Sequence, residues 1–168
     1  MTISMYDASV GTFRLMLNAL EKILVKAQAH ATHKGYDPAH LLQARLFPDM
    51  FPLLRQVQIA CDMAKSGAAR LAGLAPPRHE DTETSFDELR ARIGKVMAYI
   101  DGVERTLIEG SEEREIQLPL RERTLEFRGQ DYLIGYVLPN FYFHVATAYT
   151  ILRHNGVELG KRDFLGVA

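Results

Sequence analysis

The chain has 168 residues, 47% hydrophobic and 24% charged, enough for one globular core and too few for a second of ordinary size. Twenty Lys and Arg against 21 Asp and Glu leave a formal charge of −1, so no basic field exists to hold a nucleic acid by counterion release, and no run approaches the roughly 18 apolar residues of a membrane span. The single cysteine, Cys61, excludes an internal disulfide and every multi-cysteine metal centre. It also agrees with a reducing, cytoplasmic setting, as does an opening stretch without the basic and apolar regions of a secretory signal.

Val10, Phe13, Leu17, Leu20, Leu24 and Ala27 alternate steps of three and four, the spacing of one helix face, and predict a first helix over 5–33. Gly35 is placed to end it, and Asp37-Pro38 restarts the chain as a short helical piece over 38–45. A second long helix is expected over 48–72, with Leu54, Val57, Cys61, Ala64, Ala68 and Leu71 in the same spacing and Pro52 limiting how early it can begin. The Pro- and polar-rich stretch from Gly73 to Thr84 reads as a surface connection.

Ser85 and Glu88 have the form of a capping box, and Phe86, Leu89, Ile93, Val96, Ile100, Val103 and Leu107 carry a third helix over 85–109. Ile116, Leu118 and Leu120, then Leu125 and Phe127, alternate with polar residues at period two and predict a small β-hairpin of 114–120 and 123–128. The last helix is expected over 130–155, with Leu133, Val137, Asn140, His144, Thr147 and Ile151 on one face and Gly156 closing it. Four such amphipathic helices bury their stripes only against one another, so the expected fold is all-α: a four-helix bundle in one domain, 1–168, with the hairpin between the third and fourth long helices.

Asn140 and His144 stand one turn apart on the face of the last helix assigned to the core, where helical proteins place bound ligands. The second long helix offers Gln56, Gln58 and Asp62, of which Gln58 and Asp62 form an i, i+4 pair flanking the apolar seam. Cys61 lies on that seam and reads as a small buried hydrophobe. His30 and His33, at metal-ligand spacing, fall in a last helical turn and read as exposed residues favoured by the helix dipole. Tyr132, Tyr136, Phe141, Tyr142, Phe143 and Tyr149 cover nearly the whole circumference of the last helix, which argues for a homodimer.

The order helix, helix, helix, hairpin, helix, together with the polar positions of the last helix, resembles the DinB/YfiT-like superfamily of four-helix-bundle metalloenzymes. Three segments, Leu46 to Asp62, Pro139 to Tyr149 and Arg153 to Gly166, are similar to a bacterial branch of it whose biochemical role is undefined. The resemblance implies a metal site built from one His on the second long helix and a His-x-x-x-His pair on the last. Matched by register, the second His of that pair falls on His144, the first on Asn140, and the remaining one on Gln58, with Gln56 as the other register. Two of the three imidazoles are thus amides, weaker ligands for zinc or nickel. The expectation is a protein without bound metal or cofactor, with a small-molecule pocket lined by Gln58, Asp62, Asn140 and His144. The alternative is a divalent-metal-dependent transferase or hydrolase in which His144 is a ligand and Asp62 replaces a lost imidazole.

Overall fold

The computed structural model describes residues 3–167; residues 1, 2 and 168 of the expected 1–168 domain lie outside the described residues. A π-helical turn, Asp7–Gly11, runs directly into α1, Thr12–Lys34, which stops at Gly35 with φ of 76°. The short α2, Ala39–Gln43, precedes α3, Leu53–Leu71, and an irregular strap then leads to α4, Phe86–Asp101, and α5, Arg105–Ile108. Strands β1, Glu115–Pro119, and β2, Thr124–Arg128, follow. The single turn α6, Gly129–Asp131, enters a second π-helical stretch, Tyr132–Val137, that continues as α7, Leu138–His154, and α8, Lys161–Phe164, is last.

The chain is therefore mainly helical with one small antiparallel sheet. The longest helices, α1, α3, α4 and α7, overlap the stretches read from the apolar stripes, and shorter helices accompany them. α3 packs against α4 and α7, and α1 packs against the same two helices, so each long helix has two long neighbours. One core cluster draws on all four, from Phe13 and Leu17 through Val57 and Leu89 to Phe141 and Ile151. In the hairpin Ile116 pairs with Phe127 and Leu118 with Leu125, which puts Ile116 into that core.

Three boundaries differ from the sequence reading, each for a local reason. The second long helix starts at Leu53 rather than near residue 48, because Pro52 is extended, with ψ of 166°, and serves as N-cap. The third ends at Asp101, where Gly102 caps it, instead of running to residue 109. Glycine is a poor interior helix residue, and after the break Ile108 is buried while Leu107, assigned to the stripe, is exposed. The fourth is not one uniform α-helix over 130–155. Pro139 stands at its N-terminal turn without an N–H to donate and with a ring that crowds the carbonyl four residues back; the wider π turn just before it relieves both.

Two glycines permit close approaches. A Cβ on Gly67 of α3 would sit 2.8 Å from Val137 Cγ1 and 3.1 Å from Phe13 Cζ, so this position brings α3 against both π-to-α junctions. A Cβ on Gly129 would lie 1.9 Å from the Ser111 carbonyl oxygen, and that contact ties the exit of the hairpin to its entry.

Candidate functional site

α3 carries two separate polar groups into the interior. The first joins it to α7. Gln56 is buried in the opening turns of α3, and its Nε2 donates to the Phe51 carbonyl at 3.0 Å. A carbonyl can only accept, so this bond fixes the orientation of the amide and turns Oε1 toward His144. Oε1 lies 2.7 Å from His144 Nδ1. Because Oε1 is an acceptor, Nδ1 must carry the proton, and the second ring nitrogen, Nε2, is left with its lone pair.

Burial lowers the His144 pKa below its ordinary 6.5, and the nearby positive charge of Arg55 lowers it further. The imidazole is thus neutral at pH 7. Its residue is 9% exposed; among the described residues Nε2 has no hydrogen-bond partner, and it is not one of the sealed, unpartnered atoms, so it opens to solvent. The Phe143 ring stands edge-on to the imidazole, at 5.2 Å between centroids, and both Phe143 and Phe51 are exposed. This is a rigidly oriented, uncharged acceptor at an aromatic rim, the state required of a general base or ligand anchor.

The second group is ionic. Arg92 of α4, with its side chain 2% exposed, meets Asp62 at 3.0 Å, Asp81 at 3.0 Å and Glu83 at 3.0 Å, and it also donates to the Glu80 carbonyl. Lys65 of α3 adds a bond to Asp62 at 2.8 Å. Burial opposes the charge of Arg92, but the bonds it donates to Glu83 and the field of Asp62 outweigh it and hold the guanidinium protonated more firmly than usual. The strap between α3 and α4, left as a plain surface connection by the sequence, is thereby pinned over the helix pair. His79 of the strap has a sealed Nδ1 without a partner, and burial, followed by the charges of Lys65, Lys95 and Arg92, lowers its pKa.

The four residues expected to share a pocket are therefore distributed. His144 is paired with Gln56, and Asp62 belongs to the Arg92 group. Gln58 donates to Glu83 at 2.9 Å and accepts from Arg55 at 3.2 Å. Asn140 is only half-buried, not core-facing as expected, and its Nδ2 turns back onto the Tyr136 carbonyl at 2.6 Å. No hydrogen bond joins any two of the four among the described residues. Of the two registers for α3, Gln56 is the one that meets His144, and Gln58 points to the strap.

Sequence reasoning missed Arg92, although a signal was available: it falls on the buried face of α4 beside Leu89, Ile93 and Val96, where a charge requires partners. Cys61 is fully buried, and desolvation pushes its thiol up to about 12, so it is inert. His30 and His33 line a surface cleft with Lys34 and Glu158.

Gln56 Oε1 is committed to His144 Nδ1, which leaves one imidazole nitrogen and at most the amide oxygen of Asn140. Among the described residues, no three His, Cys, Asp or Glu side chains converge in a metal-binding group.

Comparison with known proteins agrees with this architecture. A family model described as a domain of unknown function, DUF1993, matches residues 5–165. A crystal structure of a DinB family member protein from Shewanella denitrificans superposes with a TM-score of 0.87 at 45% sequence identity, covering 97% of this chain and 92% of that one. No curated protein matches.

Proposed function

The chain belongs to the DUF1993 family, with a DinB-like fold, and from that premise we propose that it is a cytoplasmic, homodimeric four-helix-bundle protein that binds a small polar molecule without a metal. His144 is the contact residue, presenting a neutral Nε2 acceptor, and Gln56 is the positioning residue behind it. Gln58 and Asp62 hold the strap and α4 in place beside this spot, and Asn140 stands one turn earlier on the same helix. The observation that carries the reading is the free Nε2 lone pair, fixed through the relay from the Phe51 carbonyl to Gln56 to Nδ1.

The dimer reading is supported by Tyr142 and Phe143, which turn outward from α7 at 39% and 55% exposure, whereas Phe141 and Tyr132 are absorbed by the core. Light scattering at micromolar concentration tests it, and a monomer mass contradicts it. The rival, a metal-dependent transferase or hydrolase, draws on the same feature, since a histidine whose other nitrogen is held by a hydrogen bond is also how proteins orient metal ligands. Metal analysis of protein purified without a His tag separates the two: stoichiometric divalent metal that disappears in His144→Ala replaces our proposal with the rival.

The direct test is a screen of small polar metabolites by thermal shift. A molecule that binds only the native state raises Tm through mass action. We expect at least one such molecule, with its shift abolished in His144→Leu. Equal stabilisation of His144→Leu and the natural chain overturns the proposal.

A further inference from the structure

The hydrogen bonds that orient His144 begin outside the helices. Phe51, whose carbonyl accepts from Gln56 Nε2, lies in the irregular loop 44–52 between α2 and α3. Leu53 N–H closes the base of this loop on the Ala44 carbonyl at 3.0 Å, and Met50 N–H closes its tip on the Phe47 carbonyl at 3.0 Å. Across it, Arg45 Nη1 donates to the Met50 carbonyl at 2.8 Å. Leu46 packs on the core, but Phe47 and Phe51 are exposed, so the second half of the loop is held by polar bonds more than by burial.

The tautomer of a neutral imidazole is set by the hydrogen bond that one of its nitrogens makes. A free histidine favours the proton on Nε2; His144 is held in the opposite form because Gln56 presents an oxygen to Nδ1. Gln56 does so only because its Nε2 is committed to the Phe51 carbonyl, which can accept and cannot donate. With that carbonyl withdrawn, the amide is free to turn over and donate its N–H to Nδ1. His144 Nε2, which opens to solvent, then takes a proton from water as Nδ1 returns one, and the ring keeps a partner throughout. The loop alone distinguishes the two arrangements.

We propose that the loop 44–52 sets the hydrogen-bond polarity of the site: clamped by Arg45, it makes His144 Nε2 an acceptor, and released, it makes Nε2 a donor. Arg45 is thus a positioning residue that acts through Met50, Phe51 and Gln56 on a ring of α7. The two states select opposite ligand chemistry, a hydroxyl or ammonium donor against a carboxylate or carbonyl acceptor. By linkage, each class of ligand in turn favours one position of the loop. This consequence rests on the reading of His144 as the ligand contact, whereas the coupling of loop to ring is tested with no ligand.

The test compares Arg45→Ala with Gln56→Glu through the ¹⁵N signals of His144 and hydrogen exchange of the Met50 and Leu53 amides, with circular dichroism to follow folding. Arg45 is exposed, so its truncation leaves the core intact. In Arg45→Ala, exchange of the two amides is expected to quicken about fivefold, the size set by one net hydrogen bond, and His144 Nε2 to shift toward its protonated position. Gln56→Glu removes the donor to Phe51 but keeps an acceptor for Nδ1. Its loop is expected to loosen as well, while Nδ1 retains its proton. A loosened loop in Arg45→Ala with Nε2 still unprotonated overturns the proposal and leaves His144 intact as a ligand acceptor. Unchanged exchange in Arg45→Ala overturns it too, because Arg45 would then hold nothing, as does loss of the Nδ1 proton in Gln56→Glu. A natural chain already protonated on Nε2 removes this proposal together with the reading it extends.

Discussion

The two polar groups that α3 carries inward are built on opposite principles. Around Arg92 the charges are gathered together: Asp62, Asp81 and Glu83 surround one guanidinium, and Lys65 shares Asp62, although Arg92 Nε is sealed without a partner. Around His144 the hydrogen-bonded partner is neutral, the hydrogen bonds are few, and one nitrogen is left over. Buried charges cost too much to leave unpaired, so the ionic group must be closed to exist at all. A neutral imidazole tolerates an open nitrogen at the edge of the core. A spare acceptor that opens to solvent, rather than density of polar residues, therefore distinguishes the candidate site from the scaffold that holds the strap, whose spare atoms, Arg92 Nε and His79 Nδ1, are sealed.

The largest effect should come from opening the closed group. Arg92→Leu removes the one cation shared by three carboxylates and is expected to lower stability by about 3 kcal/mol, the low end for a broken buried ion pair because Asp62 and Asp81 keep some exposure. Urea denaturation measures it; a loss below about 1 kcal/mol would show that the strap is held by something else. Next in size is Gln56→Ala, which strands the Nδ1–H of His144 and the Phe51 carbonyl and should cost about 2 kcal/mol. Replacing both partners, in Gln56→Leu with His144→Leu, should recover the share of that loss owed to the stranded Nδ1–H, while the Phe51 carbonyl stays without its donor, since removing a matched pair is less costly than orphaning one member. Additive losses in the double variant would contradict the pairing.

A smaller effect separates the two groups by pH. The folded-state pKa of His144 lies below its unfolded value of 6.5, so the unfolded chain binds more protons in the interval between the two. Stability is then complete above about pH 6.5 and declines as pH falls through the folded pKa. His79 is shifted in the same direction by burial. His144→Gln should flatten part of this decline, which thermal melts between pH 5 and 8 will detect, and an unchanged slope would mean that His79 carries all of it. Smallest of all, Cys61 should resist alkylation in the native chain at pH 8 and react fully in denaturant, because burial holds its thiol protonated. Rapid labelling of the native protein would contradict the sealed seam.

Most of the scaffold was legible because its signals are local. The Ser85 and Glu88 capping box forms as read, with Glu88 N–H donating to Ser85 Oγ at 3.2 Å and Ser85 N–H to the Glu88 carboxylate at 3.1 Å. The hairpin followed from period-two alternation, and its strands differ from the expected ones by a residue or so at the ends. The π turn before α7 was also written locally, in Pro139, but apolar spacing alone passes through it unbroken. The site was legible in one residue of its central pair. His144 stood out as polar on an apolar face, but its partner depended on how α3 is rotated against α7, and a two-residue choice between Gln56 and Gln58 is not resolved by a stripe whose edge contains both. Asn140 looked equivalent to His144 by spacing, yet a bond to the carbonyl four residues back satisfies its amide within its own helix. The strap was invisible for a different reason: its order comes from charges on α3 and α4 that are distant in sequence, and a polar, proline-bearing segment reads as a loose loop unless those partners are known.

The central claim is the protonation state of one ring. ¹⁵N shifts of the His144 imidazole at pH 7, assigned by their loss in His144→Gln, should place the proton on Nδ1 and leave Nε2 unprotonated, with the Nδ1 signal perturbed in Gln56→Ala. A proton on Nε2, or an imidazolium carrying both, would contradict the account, because His144 would then have no acceptor to offer a ligand.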